Sequence, residues 1–226
     1  MRRIVDDLMR QHLVNGATGP LKILDAGCGT GGQLQQLEQF GQVTSFDFEA
    51  RAAEMFASRQ PGRILVASTD AIPFADQSFD IVTSFDVVCQ LESPGDEVAL
   101  AELARVLKPG GGLILRVPAF QALYGPHDVT LHTKHRYSTA EMAAKLESAG
   151  LRVVHTTYAN TILFPVAAVR RTLARIRGKK AEESDVRAVP EPLNKLLTAV
   201  LSAEAQILKR SSLPFGLSVI ALAKKP

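Results

Sequence analysis

Apolar positions along the chain alternate between two spacings. Short apolar runs stand at Ile23-Leu24, VTSFDF (43–48), RILVAS (63–68), FDIVTSFDVV (79–88), LILRVP (113–118), LRVVHTTY (151–158) and GLSVIALAKK (216–225), and each reads as a strand. Between them, residues 3–14, 31–40, 49–59, 96–107 and 139–149 carry helical spacing. Asp96 and Glu97 sit in the first turn of one such helix, and KPGGG (108–112) stops it. Thr139 stands near the start of another and Gly150 just past its end. Strands alternating with helices predict an α/β fold around a doubly wound, mostly parallel sheet. Ligands of such sheets bind outside the carboxyl ends of the strands. Asp25, Asp47, Asp70 and Asp86 all fall at or just after such ends.

Residues 21–32, LKILDAGCGTGG, hold the densest chemistry. An apolar strand runs into Asp25, glycines follow at 27, 29, 31 and 32, and Leu34 and Leu37 open a helical pattern. Gly27 and Gly29 permit an approach of backbone or ligand that a Cβ would block. The following helix is expected to offer unpaired N–H groups. Gly27-x-Gly29-x-x-Gly32 also satisfies the dinucleotide fingerprint, with Asp47 about 20 residues on. Asp25 separates the two uses. A pyrophosphate beside that carboxylate is repelled, whereas S-adenosylmethionine (SAM), with an ammonium and a sulfonium, is attracted. A glycine turn without a ligand is the plain alternative.

Composition narrows the setting. At 226 residues the chain suits one α/β domain with a substantial core. A net charge of +3 is too small to point to nucleic acid. Two cysteines, Cys28 and Cys89, argue against a disulfide scaffold and structural zinc. The amino terminus does not read as a secretory signal, and no uncharged run reaches the ~20 residues of a spanning helix, so a cytoplasmic location is expected. The segment 160–213 shifts in composition: TILFPVAAVRRTLARIRGKK is basic, AEESD acidic, VPEP a breaker, and LNKLLTAVLSAEAQILKR helical. It reads as an insertion over the ligand edge. Arg170, Arg171, Arg175, Arg177, Lys179 and Lys180 are six positive charges in eleven residues. Such a run is first a solvated face; contact with an anionic membrane or an acidic, lipid-linked acceptor is the second reading.

Assembled, these residues resemble a class I SAM-dependent methyltransferase, most closely the small bacterial ubiquinone/menaquinone-methyltransferase-like group. The resemblance spans roughly 21–163 and the final strand. ILDAGCGTGG is similar to that family's first motif, and LAELARVLKPGGGLILRVP to its helix-turn-strand signature. It implies a Rossmann-like sheet of seven strands, the last antiparallel and preceded by the helical insertion. It also implies SAM as cofactor and S-adenosylhomocysteine (SAH) as product. Asp25, Ala26, Gly27, Cys28 and Gly29 form the turn, Asp47 with Phe48 holds the ribose, Asp70 and Ala71 read adenine, and Phe85 lies near the methyl group. Relatives often carry a histidine where this chain has Cys89 and Gln90.

Methyl transfer needs an acceptor held in line with the methyl and, for some acceptors, removal of a proton. The loop 118–137, PAFQALYGPHDVTLHTKHRY, holds three of the five histidines. His127 or His132 is the candidate general base, with Asp128 orienting one imidazole and Tyr124 or Tyr137 touching the acceptor. The plain alternative is a lid whose histidines and Arg136 make structural bonds. No metal is expected, because these histidines lack the helical i, i+4 spacing of H-E-x-x-H. The expectation is a single domain over 1–226, with a SAM-binding core at about 21–158 and 216–225 and an acceptor-covering insertion at about 160–213. It would methylate an oxygen, nitrogen or carbon of a small molecule, oxygen first among them, and act on no nucleic acid. A non-catalytic SAM-binding module and an NAD-dependent oxidoreductase are the rivals; the latter lacks a Tyr-x-x-x-Lys pair.

Overall fold

A computed structural model of the chain describes residues 1–14, 19–58, 64–169, 191–208 and 211–226. The basic run at 170–180 lies outside the described residues. A seven-stranded sheet runs through the centre: β1 Leu21–Ala26, β2 Gly41–Asp47, β3 Ile64–Val66, β4 Phe79–Phe85, β5 Leu107–Pro118, β6 Arg152–Ala159 and β7 Ser218–Lys224. Its order is β3-β2-β1-β4-β5-β7-β6. β7 is antiparallel to both neighbours and the other pairs are parallel. The chain order reverses between β1 and β4, which opens a crevice at their carboxyl ends.

The helices are α1 Arg2–His12, α2 Leu34–Leu37, α3 Ala50–Ala57, α4 Gly95–Val106, α5 Pro126–Thr130, α6 Thr139–Ser148 and α7 Glu191–Leu208. Helices cover both faces of the sheet, which is why its strands read as apolar runs rather than as alternation. Leu24, Val82, Leu113 and Leu115 pack with Leu100 and Leu103 of α4 and Met142 and Leu146 of α6. Ile23, Ile81, Ile114 and Ile220 pack with Ile4 and Leu8 of α1 and Ala205 and Leu208 of α7. The insertion's described helix thus lies beside α1 on one face of the sheet.

Local chemistry explains several boundaries. The Ser138 side chain accepts the Glu141 N–H at 3.1 Å and caps α6, so the cap stands one residue before Thr139. Lys225 Nζ donates to the carbonyls of Ala104 and Leu107 at 2.8 and 2.9 Å, satisfying the end of α4 from the far terminus of the chain. Arg105 Nε and Nη2 donate to Glu102 at 2.6 and 2.8 Å, while its Nη1 and Nη2 reach the carbonyls of Phe74 and Ile72 at 2.8 and 2.9 Å. One guanidinium thereby ties the chain after β3 to α4. The expected strand 79–88 ends at Phe85, and a 3-10 turn occupies Val88–Gln90. β5 begins earlier than expected: Leu107 pairs with Phe79, the chain bulges through the left-handed Gly110 (φ +76°), and regular pairing with β4 and β7 resumes at Gly112.

At its last turn α1 sets His12 against His155 of β6, the rings stacked 5.3 Å apart. Burial pushes both imidazoles below their ordinary value; Lys224 adds to the effect on His12, and His12 to that on His155. Between those folded values and the unfolded 6.5 the unfolded chain binds more protons. The stability this pair contributes is therefore complete above about pH 6.5 and is lost as pH falls through that window. Urea unfolding of wild type between pH 7.5 and 5 is expected to show a steeper loss than His155→Phe, which keeps the stack without the titrating group.

Candidate active site

The site begins where β1 meets the glycine turn. Gly27, Gly29 and Gly31 all have left-handed backbone, with φ of +79°, +54° and +81°. The N–H groups of Gly27 and Cys28 donate to the Phe46 carbonyl at 2.9 and 3.0 Å, which binds the turn to β2. A Cβ on Gly27 would stand 2.1 Å from Cγ2 of Val87, so the turn is packed directly against the segment after β4. A Cβ on Gly29 would meet nothing within 4 Å, so this side of the turn is open. The helix expected over 31–40 shrinks to the four residues of α2. The N–H groups of Gly31 and Leu34 are taken by carbonyls at Cys28 and Gly31. The helix start is thereby reduced to one turn, with two of its N–H groups already used within the chain.

Asp25 lies under this turn, 1% exposed. It sits opposite Thr83 in the β1–β4 register, and the Thr83 hydroxyl donates to its Oδ1 at 2.8 Å. Its Oδ2 is buried with no hydrogen-bond partner. Burial raises its pKa to about 6, partly opposed by the Thr83 bond and reinforced by Asp47. The same burial, with Asp25 and Asp47 nearby, pushes the Cys28 thiol up to about 12, so this sulfur is no nucleophile.

Asp47, at the end of β2, accepts the Gly29 N–H at 2.7 Å and the Glu49 N–H at 2.9 Å. Phe48 beside it is 74% exposed. Asp70 and Ala71 are exposed beyond β3, where Ala71 bridges Ser68 and the Ile72 N–H donates to Glu102 at 2.9 Å. At the end of β4, Asp86 has a left-handed backbone (φ +61°) and pairs with Arg116 of β5. The Arg116 guanidinium lies 5.7 Å from the Phe85 ring centroid. The Gln90 side chain donates to the Asp86 carbonyl at 3.0 Å, and Cys89 is buried with its thiol raised to about 12 by desolvation.

The 118–137 loop corrects two expectations. Asp128, expected to orient an imidazole, forms a buried ion pair with Arg136 at 2.7 Å and accepts the Gly125 N–H at 2.8 Å. Arg136 also donates to the Ala119 carbonyl at 2.9 Å, so this pair closes the loop on itself. Tyr137 is fully buried and donates to Asp96 at 3.0 Å, out of reach of any acceptor. His135 is engaged with Glu141 at 2.7 Å. His127 remains partly buried with an unpartnered Nδ1, Tyr124 is partly buried, and His132 is exposed with φ +56°.

Thr83, Arg116 and Glu204 were not singled out by the sequence reading. Thr83 and Arg116 are polar residues inside apolar strands, which is the signal that points to them. Glu204 is an acid inside the apolar run of α7; it is buried and accepts the N–H groups of Asn160 and Ile162 at 2.5 and 3.2 Å.

Solved SAM-dependent methyltransferases share this fold. Residues 24–115 match the family model described as a methyltransferase domain, and that class uses SAM. The chain is 34% identical to a demethylmenaquinone methyltransferase of Renibacterium salmoninarum over 50% of this chain and 46% of the relative. It is 32% identical to a malonyl-[acyl-carrier protein] O-methyltransferase of Pseudescherichia vulneris over 66% and 61%. It spans less than half the length of the first curated relatives it matches, 24–46% of each. Among solved structures, geranyl diphosphate C-methyltransferase from Streptomyces coelicolor A3(2), in complex with SAH, has a TM-score of 0.64 at 16% identity, covering 98% of this chain and 78% of that one.

The buried carboxylate generates a test with two opposite signs. Its folded pKa of about 6 lies above the unfolded value, so the ligand-free protein loses stability as pH rises through that range, by about 3 kcal/mol in all. Asp25→Asn is expected to raise ligand-free stability at pH 8, with the gain shrinking towards pH 4, and at the same time to weaken SAH binding. Urea melts and calorimetry check the two halves.

Proposed function

We propose that this chain binds SAM at the glycine turn and transfers its methyl group to a nucleophile of a small molecule. The observation that carries the reading is the unpartnered, buried Oδ2 of Asp25. A charge held in low dielectric without a counter-ion favours a cationic ligand and repels a pyrophosphate.

When bound, SAM supplies an activated methyl group and leaves as SAH. The chain's own residues do the rest. Asp25 sets a negative field under the turn for the ammonium and sulfonium; the backbone of Ala26, Gly27, Cys28 and Gly29 contours it. Asp47 takes the ribose hydroxyls with its remaining lone pairs, and Phe48 covers them. Asp70 and the Ala71 backbone read the adenine edge. Phe85 and Asp86 would line the methyl end of the site, next to Val87, which packs against Gly27. The acceptor, with oxygen as the first choice of atom, enters between the 118–137 loop and the segments around 160 and 215. There His127, whose buried Nδ1 has no hydrogen-bond partner, is the base for a protic acceptor once the loop admits one; Tyr124 and His132 position it. Arg116 is the cation available to an acidic acceptor, in exchange for Asp86.

Calorimetry with SAH and with NAD tests the donor half: SAH is expected to bind and NAD to be ignored, and the reverse result overturns the reading. SAH release measured with an acceptor found by screening metabolite pools tests the acceptor half. His127→Asn is expected to lower kcat on the order of 10²-fold or more with the KM for SAM unchanged. The absence of turnover with any acceptor, despite tight SAH binding, would favour the non-catalytic SAM-binding module.

A further inference from the structure

The carboxyl edge of the sheet carries an apolar shelf that the donor site does not use. After β6 the chain turns out at Asn160, whose φ is +61°, and residues 164–169 are helical. Ile162, Val166 and Val169 are 47–63% exposed. Phe215, in the segment that leads into β7, is 41% exposed and packs on Phe164 at 5.5 Å between ring centroids. The Thr161 hydroxyl donates to the Phe215 carbonyl, and Glu204 takes the N–H groups of Asn160 and Ile162. The shelf is therefore a braced surface rather than a fraying strand end. On its inner side Phe164 contacts Phe120, which continues from β5 into the 118–137 loop. Val129 and Leu131, in the same loop, are also about half exposed.

Large aliphatic tips left in water at one edge mark a contact surface. Charge then selects the occupant. Directly after Val169 the sequence places six basic residues within 170–180, with no acid among them. Exposed aliphatic residues followed by a basic cluster suit the boundary between acyl chains and anionic headgroups. Among the described residues no helix is long and apolar enough to cross a membrane. We propose that this edge docks on an anionic lipid bilayer and that the methyl acceptor is a lipid-borne molecule reaching the site from that surface. The inference rests on the methyl-transfer reading for its second half only. It reverses the order of readings that the basic run alone supports, because the neighbouring residues prove to be exposed and apolar together.

Vesicle flotation with the full chain tests it. The protein is expected to float with phosphatidylcholine vesicles containing roughly a third phosphatidylglycerol, to stay behind with pure phosphatidylcholine, and to be released by high salt. Val166→Glu is expected to cut the bound fraction several-fold while SAH affinity, measured by calorimetry on the same preparation, stays at the wild-type value. Wild type that ignores anionic vesicles overturns the proposal, as does Val166→Glu that floats like wild type. A lipid-free dimer that Val166→Glu dissociates would also overturn it, assigning the shelf to a second copy. Loss of SAH binding in wild type would count against the donor site alone, since flotation is read independently of it.

Discussion

A carboxylate sealed beneath a glycine turn is the constraint on which the site depends. Burying a charge without a partner is costly, and the protein tolerates it at Asp25 because the strands around it are packed on both faces. The Thr83 hydroxyl relieves one oxygen and leaves the other bare. Asp47 adds a second negative charge at the next strand end and also holds the Gly29 N–H, so charge and turn geometry are fastened together. A cation arriving over Gly29 would relieve the whole arrangement, whereas an anion would aggravate it. The four-residue α2 offers an anion only a short helix to compensate that repulsion.

Backbone strain gathers on the same side of the molecule. Of the five non-glycine residues with positive φ among those described, Asp86, Phe120, His132 and Asn160 follow the carboxyl ends of β4, β5 and β6. Strain of this kind persists only where its surroundings over-determine it. The Arg116 pair holds Asp86, Tyr158 stacked at 4.8 Å holds Phe120, and Glu204 holds Asn160. Away from the crevice, Arg105 and Lys225 tie loop to helix and helix to terminus through ordinary bonds.

Most of the architecture was legible in the sequence, because strands covered on both faces leave apolar runs and the intervening helices leave caps. The acids at strand ends were legible for the same reason: they interrupt those runs. What the sequence hid was set by contacts across the sheet. Thr83 becomes the partner of Asp25 only through the β1–β4 register, and no local pattern announces that pairing. Asp128 read as an orienting acid because it adjoins His127, yet Arg136, eight residues on, reaches it first with a buried guanidinium. Periodicity also overstated the helix after the turn, since Leu34 and Leu37 are buried over a single turn before Phe40 leads into β2.

The boundary of the family match divides the molecule along a physical line. The matched residues, 24–115, contain the second half of β1, β2 to β4, α2 to α4 and most of β5, which is the part that holds the glycine turn and the strand-end acids. Relatives sharing this part are named for acting on oxygen, on sulfur and, among structural neighbours, on carbon. A donor half can stay common across such chemistry because it presents the same leaving group each time. The match stops one residue before Arg116, and beyond it lie the pair with Asp86, the loop closed by Arg136 and Asp128, and the shelf around Phe164. Under the proposed methyl transfer, residues 116–169 and 191–217 are where a choice of acceptor is to be sought, because irregular backbone, two paired arginines and exposed aliphatic side chains coincide there.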